Sequence, residues 1–307
     1  MRRGDGLAVL LQLTRFRCGG ASLGVAFDHL VGDGFAALHL INSWADAAHR
    51  GGGGGGVAAT PPIIDRTVFA ARDAPAPSFP HPEYTAPPSL PTPPEKGQPL
   101  VPTRFRLAPD EIDRLKARGG AGGRCSSYEA IVAHVWRSVC VARELPAEQR
   151  TRLYMPLSVL RRVDPPLPPN YLGNAVFSTV SEAPAGEVTG YTVEQVVGRV
   201  RAALEKVNDA YVRSAVDYIE AQPEPERLRR GGSTYSSPNL NVNSWVQLPI
   251  YGADFGWGRP VFMGPARVFC EGMVYILPCP DSHDGLWVLL GLQKDTMKRF
   301  RKVFYAF

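Results

Sequence analysis

Two short strings hold the residue types that could do chemistry. The first is His29-Leu30-Val31-Gly32-Asp33, where an alternating apolar pattern gives way to helical spacing. An imidazole at the end of such a strand can reach into a cleft and take a proton near neutral pH. Spacing alone favours a plainer alternative, a satisfied core histidine with Asp33 as helix N-cap, a position Asp prefers. No third His, Asp or Glu stands at ligand spacing, so no metal site is expected. The second string is Asp254-Phe255-Gly256-Trp257-Gly258, followed by Arg259-Pro260. Its first three residues resemble a kinase motif, but no H-R-D loop, strand lysine or Gly-rich nucleotide loop accompanies them. On its own terms it predicts a tight loop whose carboxylate pairs with an arginine.

Other chemistry is excluded. The five cysteines (Cys18, Cys125, Cys140, Cys270, Cys279) are odd in number and contain no C-x-x-C pair. They form neither a disulfide framework nor a zinc site, and reduced thiols in a cytoplasmic protein are expected. Six glycines at 51–56 are followed by Val57-Ala58-Ala59, not by the Gly-Lys-Ser/Thr that finishes a phosphate loop. They read as linker.

The elements that must position these strings follow from periodicity. Residues 7–16 and 21–29 read as two strands joined at Cys18-Gly19-Gly20, with Leu23, Val25, Phe27 and His29 on one face. A helix is expected over about 35–49. Residues 57–102 are dense in proline and, with the glycines, mark a crossing between two domains. Beyond it come a strand at 103–107, a helix at 110–118, and a helix opened by the capping box Ser126-Ser127-Tyr128-Glu129. Strands at 153–157 and 176–180 flank a proline-rich loop at 165–170. A long helix from Thr192 through Tyr211, three strands near 241–248, 273–277 and 286–292, and a final helix from about Thr296 complete the chain. Irregular alternation of this kind argues a mixed α/β fold.

Composition agrees. The chain has 307 residues, 44% hydrophobic and 21% charged, with 34 Lys plus Arg against 29 Asp plus Glu, a net charge of +5. That excludes disorder of the whole chain. No apolar run reaches the roughly 18 residues of a membrane helix. The apolar stretch after Met1-Arg2-Arg3 is interrupted by Gln12, Thr14 and Arg15, so a buried strand is expected there rather than a signal peptide. The positive charge is scattered rather than blocked, which disfavours nucleic acid and favours a small anionic ligand.

Together the strings resemble the plant BAHD acyltransferase family. The Asp-Phe-Gly-Trp-Gly string is specific to that family, and the His-x-x-x-Asp string alone is not. The resemblance runs from about Leu10 to Phe307 and takes in Ile64-Asp65-Arg66-Thr67, Pro166-Leu167-Pro168-Pro169 and Gly264-Pro265. Asn239-Leu240, Ser244-Trp245-Val246 and Leu248-Pro249-Ile250 look most like the hydroxycinnamoyl-CoA:shikimate/quinate hydroxycinnamoyltransferases.

The resemblance implies an α/β, two-domain fold of the chloramphenicol-acetyltransferase type with mixed sheets. Only 28 residues precede His29, so the first domain is expected to be incomplete and the chain N-terminally truncated. The expected units are 1–50, a remnant carrying His29; 51–102, a Gly/Pro-rich crossover; and 103–307, carrying the Asp254 string. It further implies an acyl-CoA co-substrate, no cofactor, and a cytoplasmic enzyme of phenylpropanoid metabolism that is a monomer when full-length. His29 would be the general base. Trp245 and Asn243 would stabilise the oxyanion, and Arg230 would hold an acidic acceptor. Asp33, braced by an arginine, and Asp254, Gly256, Trp257 and Gly258 would be structural.

The sequence departs from the pattern at Ser158-Val159-Leu160, at Asn243, where threonine is usual, and at Gln247, where arginine is usual. An amide-forming relative acting on a polyamine or agmatine, and a non-catalytic pseudoenzyme, are the alternatives. Missing strands would leave a sheet edge exposed, so poor solubility or self-association is expected.

Overall fold

The computed structural model describes residues 7–49, 60–91, 99–120, 125–281 and 285–306. The six glycines at 51–56 lie outside the described residues. Two sheets are present among the described residues. The smaller is a hairpin of β1 (Val9–Arg15) and β2 (Ala21–Phe27), antiparallel, with Val9 opposite Phe27 and Arg15 opposite Ala21. The expected alternation holds: Leu23, Val25 and Phe27 are half-covered, and the residues between them are exposed. The expectation of a buried first strand does not hold. β1 is exposed at every position after Val9, because among the described residues the apolar cover of this hairpin comes from one helix, α1 (Gly34–His49). Val25 packs with Leu38, Ile41 and Ala45 of that helix.

The larger sheet has six strands in the order β3-β8-β7-β6-β4-β5: β3 (Leu100–Leu107), β4 (Arg150–Ser158), β5 (Val176–Pro184), β6 (Leu240–Ser244), β7 (Met273–Pro278) and β8 (Leu286–Gln293). β4, β6 and β7 run parallel and the remaining pairs antiparallel. Period two gives the sheet two different faces. Leu153 and Met155 of β4, Leu240 and Val242 of β6, and Val274 and Ile276 of β7 enter the main core. That core is closed by α2 (Pro109–Gly119), α3 (Ser127–Ala142), α5 (Val193–Glu205) and α7 (Lys294–Val303). The residues between them, Arg152, Tyr154, Asn241, Asn243 and Tyr275, therefore point to the opposite face. That face carries Asn243, one of the candidate site residues.

The capping box at Ser126 forms as expected, with the serine side chain accepting the Glu129 amide. The single long helix expected from Thr192 to Tyr211 is two helices. α5 ends at Glu205, and Asn208 caps a new helix, α6 (Asp209–Glu220), by accepting the Tyr211 amide. An uninterrupted apolar stripe concealed this break. A short α4 (Ala185–Gly190), absent from the sequence reading, precedes α5.

The proline-rich segment is more than a tether. Over 60–91 it makes two 3-10 turns, Thr67–Phe69 and Pro82–Tyr84, and it is fastened along α6. Asp217 accepts the amides of Arg72 and Ala76 at 3.1 and 3.0 Å. Ser214 accepts those of Ser78 and Phe79 at 2.8 and 3.1 Å. Tyr211 donates to Glu83. These three residues recur every third position, so they form one polar stripe on α6.

Candidate active site

β2 ends at Phe27, and the chain turns through residues 28–31 before α1 begins. His29 sits on that turn and is exposed, so it is not a core histidine. Its Nδ1 lies 3.0 Å from Asn174 Oδ1. Asn174 Nδ2 in turn donates to the His29 carbonyl at 2.7 Å. The second bond fixes which way the amide points, so Oδ1 faces the ring and Nδ1 carries the hydrogen. Nε2 is left with its lone pair, the tautomer a general base requires. Asn174 escaped the sequence reading. The only signal for it was its place after the proline-rich loop.

Asp33 is buried at 3% exposure. Its Oδ1 accepts the Phe35 and Ala36 amides at 3.0 and 3.2 Å, which makes it the N-cap of α1. Its Oδ2 accepts the Ala175 amide at 3.0 Å, and its own N–H donates to Gly173 O at 3.0 Å. One carboxylate thus starts the helix and ties it to the loop that bears Asn174. The arginine brace expected for Asp33 is not built: no arginine ion-pairs with it among the described residues. Arg66 donates instead to Val31 O at 3.0 Å, and Arg162 to the carbonyls of Leu204 and Val207 at 2.8 and 2.9 Å. Backbone amides satisfy the carboxylate that an arginine was expected to hold.

Asn243 and Trp245 lie at the end of β6, half-buried, on the sheet face away from the main core. The Trp245 ring meets Tyr275 edge-on at 5.6 Å, and the Trp245 backbone N–H donates to Ile276 O at 2.8 Å. Trp245 and Leu248 also pack into the cluster formed by α1, and Asn42 of α1 donates to Pro249 O at 3.1 Å. The helix that follows His29 is thereby docked onto the segment that follows Asn243. No hydrogen bond joins the His29 side chain to Trp245, Asn243 or Arg230 among the described residues, which leaves the imidazole Nε2 for another group.

Arg230 reaches the same sheet face. Its guanidinium carbon lies 5.6 Å from the Tyr154 ring centre and 5.8 Å from that of Tyr84. Its Nη1 is buried with no hydrogen-bond partner. Among the described residues no carboxylate stands within ion-pair reach of it. A half-buried guanidinium without a counter-charge is costly unless rings or an arriving anion compensate it. Burial pushes the Tyr84 hydroxyl up to about 12, opposed by the nearby Arg230 charge. Tyr84 also escaped the sequence reading, because it lies in a segment whose composition signals only linker.

The Asp254 loop turns on itself. Asp254 Oδ1 accepts the amides of Gly256 and Gly258 at 2.8 and 3.0 Å. Both glycines have positive φ, 95° and 93°, a region that disfavours side chains. The Gly256 amide first, then burial opposing it and the Gly258 amide assisting, leave the Asp254 carboxyl below its usual range. The arginine expected to pair with it is replaced by His49, whose Nδ1 lies 3.7 Å away. Trp257 is 78% exposed. The loop packs beside α1 through Phe255, whose ring meets Trp44 at 4.8 Å.

Among the described residues no helix is long and apolar enough to cross a membrane. No group of three His, Cys, Asp or Glu among them could hold a metal ion.

Known proteins resemble this arrangement. The chain is 44% identical over 308 residues to a hydroxycinnamoyltransferase of Narcissus pseudonarcissus, covering 97% of this chain and 69% of that one. It is likewise 44% identical to the shikimate O-hydroxycinnamoyltransferase of Nicotiana tabacum, covering 97% and 70%. A third relative, 45% identical, is an Avena sativa hydroxycinnamoyl-CoA:5-hydroxyanthranilate N-hydroxycinnamoyltransferase, covered over 67% of its length. Among solved structures, vinorine synthase superposes with a TM-score of 0.69 at 21% identity, over 95% of this chain and 64% of that one. TRI101 of F. graminearum, in complex with Coenzyme A and T-2 mycotoxin, gives 0.77 at 19% identity, over 96% and 67%. These likenesses establish a mixed α/β acyltransferase fold, and the chain spans about two thirds of the proteins it matches. With the Transferase family model matching residues 6–307, the chain belongs to that family, the BAHD acyltransferases.

Proposed function

We propose that the chain transfers a hydroxycinnamoyl group from a CoA thioester to a small acceptor that carries a carboxylate, such as shikimate or quinate. His29 Nε2 removes the acceptor's hydroxyl proton as the oxygen attacks the thioester carbonyl. The Trp245 indole N–H and the Asn243 amide donate to the oxyanion, and Arg230 receives the acceptor's carboxylate through paired N–H donors. Thioester and acceptor are the two partners this chemistry requires, and the setting is cytoplasmic.

The observation that carries the reading is Arg230, a half-buried cation with one buried, unpartnered nitrogen and, among the described residues, no carboxylate within ion-pair reach. The named relatives support it. Shikimate and 5-hydroxyanthranilate, printed in the names of two of them, are both carboxylates, although one is acylated on oxygen and the other on nitrogen. A second reading, transfer to an amine, is favoured by the 39% identity to putrescine hydroxycinnamoyltransferase 1 of Oryza sativa. A diamine would meet repulsion from Arg230.

The test is mass spectrometry of products from purified protein given p-coumaroyl-CoA and a pool of shikimate, quinate, agmatine and spermidine. Acylated shikimate or quinate is expected. Arg230→Ala should raise the KM for that acceptor by about 10- to 100-fold and leave the acyl-CoA KM unchanged, as loss of a charged hydrogen bond dictates. Acylated agmatine or spermidine as the main product would hand the case to the amide-forming reading.

A further inference from the structure

Among the described residues the guanidinium of Arg230 makes no ion pair, its Nη1 has no hydrogen-bond partner, and aromatic rings surround it. Two tyrosine rings flank it, and each ring is itself fixed from behind. Tyr154 is fully buried on β4, meets Tyr235 edge-on at 5.4 Å, and its hydroxyl receives Arg152 Nη1 at 3.3 Å. Tyr84 is stacked on Tyr218 of α6, centres 5.8 Å apart and planes 19° from parallel. The turn that carries Tyr84 is gripped at both ends. Arg152 Nη1 donates to Pro82 O at 2.9 Å and to Thr85 O at 3.1 Å, and Glu182 holds Arg152 in place at 2.8 Å.

The residues just before Tyr84 form a second lock. His81 Nδ1 lies 2.9 Å from Glu83 Oε1, and His81 Nε2 lies 2.9 Å from Ser214 Oγ. The order Ser, His, Glu matches a hydrolase relay, but the burial does not. All three are buried, at 0%, 3% and 1% exposure. Both lone pairs of Ser214 Oγ are already taken by the Ser78 and Phe79 amides, so its hydroxyl donates to His81 Nε2 and His81 Nδ1–H donates to Glu83. Tyr211 donates to the same carboxylate at 3.1 Å. Every polar atom of the relay is satisfied internally, which suits a clasp and leaves no nucleophile.

We infer that Tyr84 is a positioning residue for acceptor recognition: its ring, with that of Tyr154, cradles Arg230 and aims the outer guanidinium N–H groups at the acceptor's carboxylate, while the His81–Glu83–Ser214 clasp holds Tyr84 against α6. The inference rests on the reading that Arg230 receives that carboxylate. Physically, the rings compensate the buried Nη1 edge through their quadrupoles without neutralising the charge, as a carboxylate partner would. The cation stays available to an anionic ligand. A Glu in place of either ring would consume it.

The experiment measures dissociation constants by calorimetry for shikimate and for its uncharged methyl ester, on the whole chain. Wild-type protein should prefer shikimate. Tyr84→Leu should weaken shikimate binding by roughly 3- to 30-fold, the range of a desolvated cation–ring contact, and should bring shikimate and ester close to parity. Tyr84→Phe, which keeps the ring, should stay within about twofold of wild type on the same principle. Should the leucine variant fail to fold, 3,4,5-trifluorophenylalanine at position 84 keeps the shape and removes the ring's negative face, and the same loss of preference is expected. A ring-depleted variant that keeps the wild-type preference while Arg230→Ala loses it would overturn the inference alone. Arg230→Ala without effect, or wild-type protein indifferent between shikimate and ester, would overturn the acceptor reading and the inference with it.

Discussion

β1 and β4 are both apolar strands, yet their surroundings are opposite. Leu10, Leu11 and Leu13 of β1 are 42%, 52% and 52% exposed, whereas Leu153, Tyr154 and Met155 of β4 are fully buried. Strand propensity and alternation settle that both segments extend, because they act within the strand. Burial depends on what lies above and below, which neighbours along the chain do not encode. β4 has strands on both sides and helices over one face. Among the described residues β1 has a single partner strand, with one helix against the hairpin. The candidate site residues are divided accordingly. His29 hangs from the open hairpin, and the groups that would orient the acceptor line the packed sheet.

That division predicts that changes at the hairpin alter rate, whereas changes beneath the sheet alter stability. The largest effect is expected at His29. His29→Ala should lower thioester-dependent transfer by about 10²- to 10⁴-fold, the usual contribution of a general base. Because the residue is exposed, the melting temperature should hold. Single-turnover rates alongside thermal scans check this, and a full rate in the variant would remove His29 from the mechanism. Asn174→Ala should follow in the same direction and to a lesser extent, since Nε2 keeps its base but loses the bond that selects its tautomer.

Trp136 is the opposite case. It is fully buried in α3, with its indole N–H donated to Thr151 Oγ1 at 3.2 Å. Trp136→Ala should cost about 3–5 kcal/mol of stability through the cavity it leaves. Denaturant melts read this directly, and a loss below about 1 kcal/mol would mean that α3 collapses onto the sheet more freely than close packing allows.

Legibility in the sequence follows the same divide. The cap at Ser126, the turn at Cys18-Gly19-Gly20 and the strand alternations are local, and they appear where the sequence pattern places them. The break at Asn208 is local too, but an unbroken apolar stripe outweighed its capping signal. At the candidate site, His29, Trp245, Asn243 and Arg230 are proposed because the family pattern marks them. Asn174 and Tyr84 carry no such mark, since each lies against a partner more than a hundred residues away: Asn174 on His29, Tyr84 beneath Arg230. The arginines expected at Asp33 and Asp254 failed for a related reason. A buried or loop carboxylate needs donors, and backbone amides supply them without leaving any trace in side-chain identity.

The α6 stripe gives a pH-dependent test of the packed half. The Ala76 amide first, with burial opposing it and Arg72 assisting, leaves the Asp217 carboxyl below its usual range. A carboxyl depressed in the folded state contributes stability that is present above its unfolded pKa, about 3.9, and lost as pH falls through the lower folded value. Wild-type protein should therefore lose melting temperature on acidification from pH 6 to pH 3 more steeply than Asp217→Asn. Parallel profiles would show that the proline-rich segment is held by shape rather than by this carboxylate.

The smallest effect on stability is expected at the hairpin's own leucines, and it sharpens the comparison most. If β1 takes little from burial, Leu11→Ser with Leu13→Ser should change the unfolding free energy by no more than about 0.5 kcal/mol each, as for ordinary surface sites. Both lie in register with half-covered partners, Leu11 with Val25 and Leu13 with Leu23. A larger loss would therefore reveal packing against α1 that their exposure conceals. Self-association should respond instead. A sheet that has two strands among the described residues, with exposed apolar side chains, invites pairing with another chain, and polar side chains weaken that pairing. Sedimentation velocity of wild type should show species larger than a monomer at micromolar concentration, and the double variant should shift towards the monomer. A wild-type protein that sediments as a compact monomer would mean that the exposed leucines drive no association, and that strand edges here are protected by twist or charge rather than by a partner.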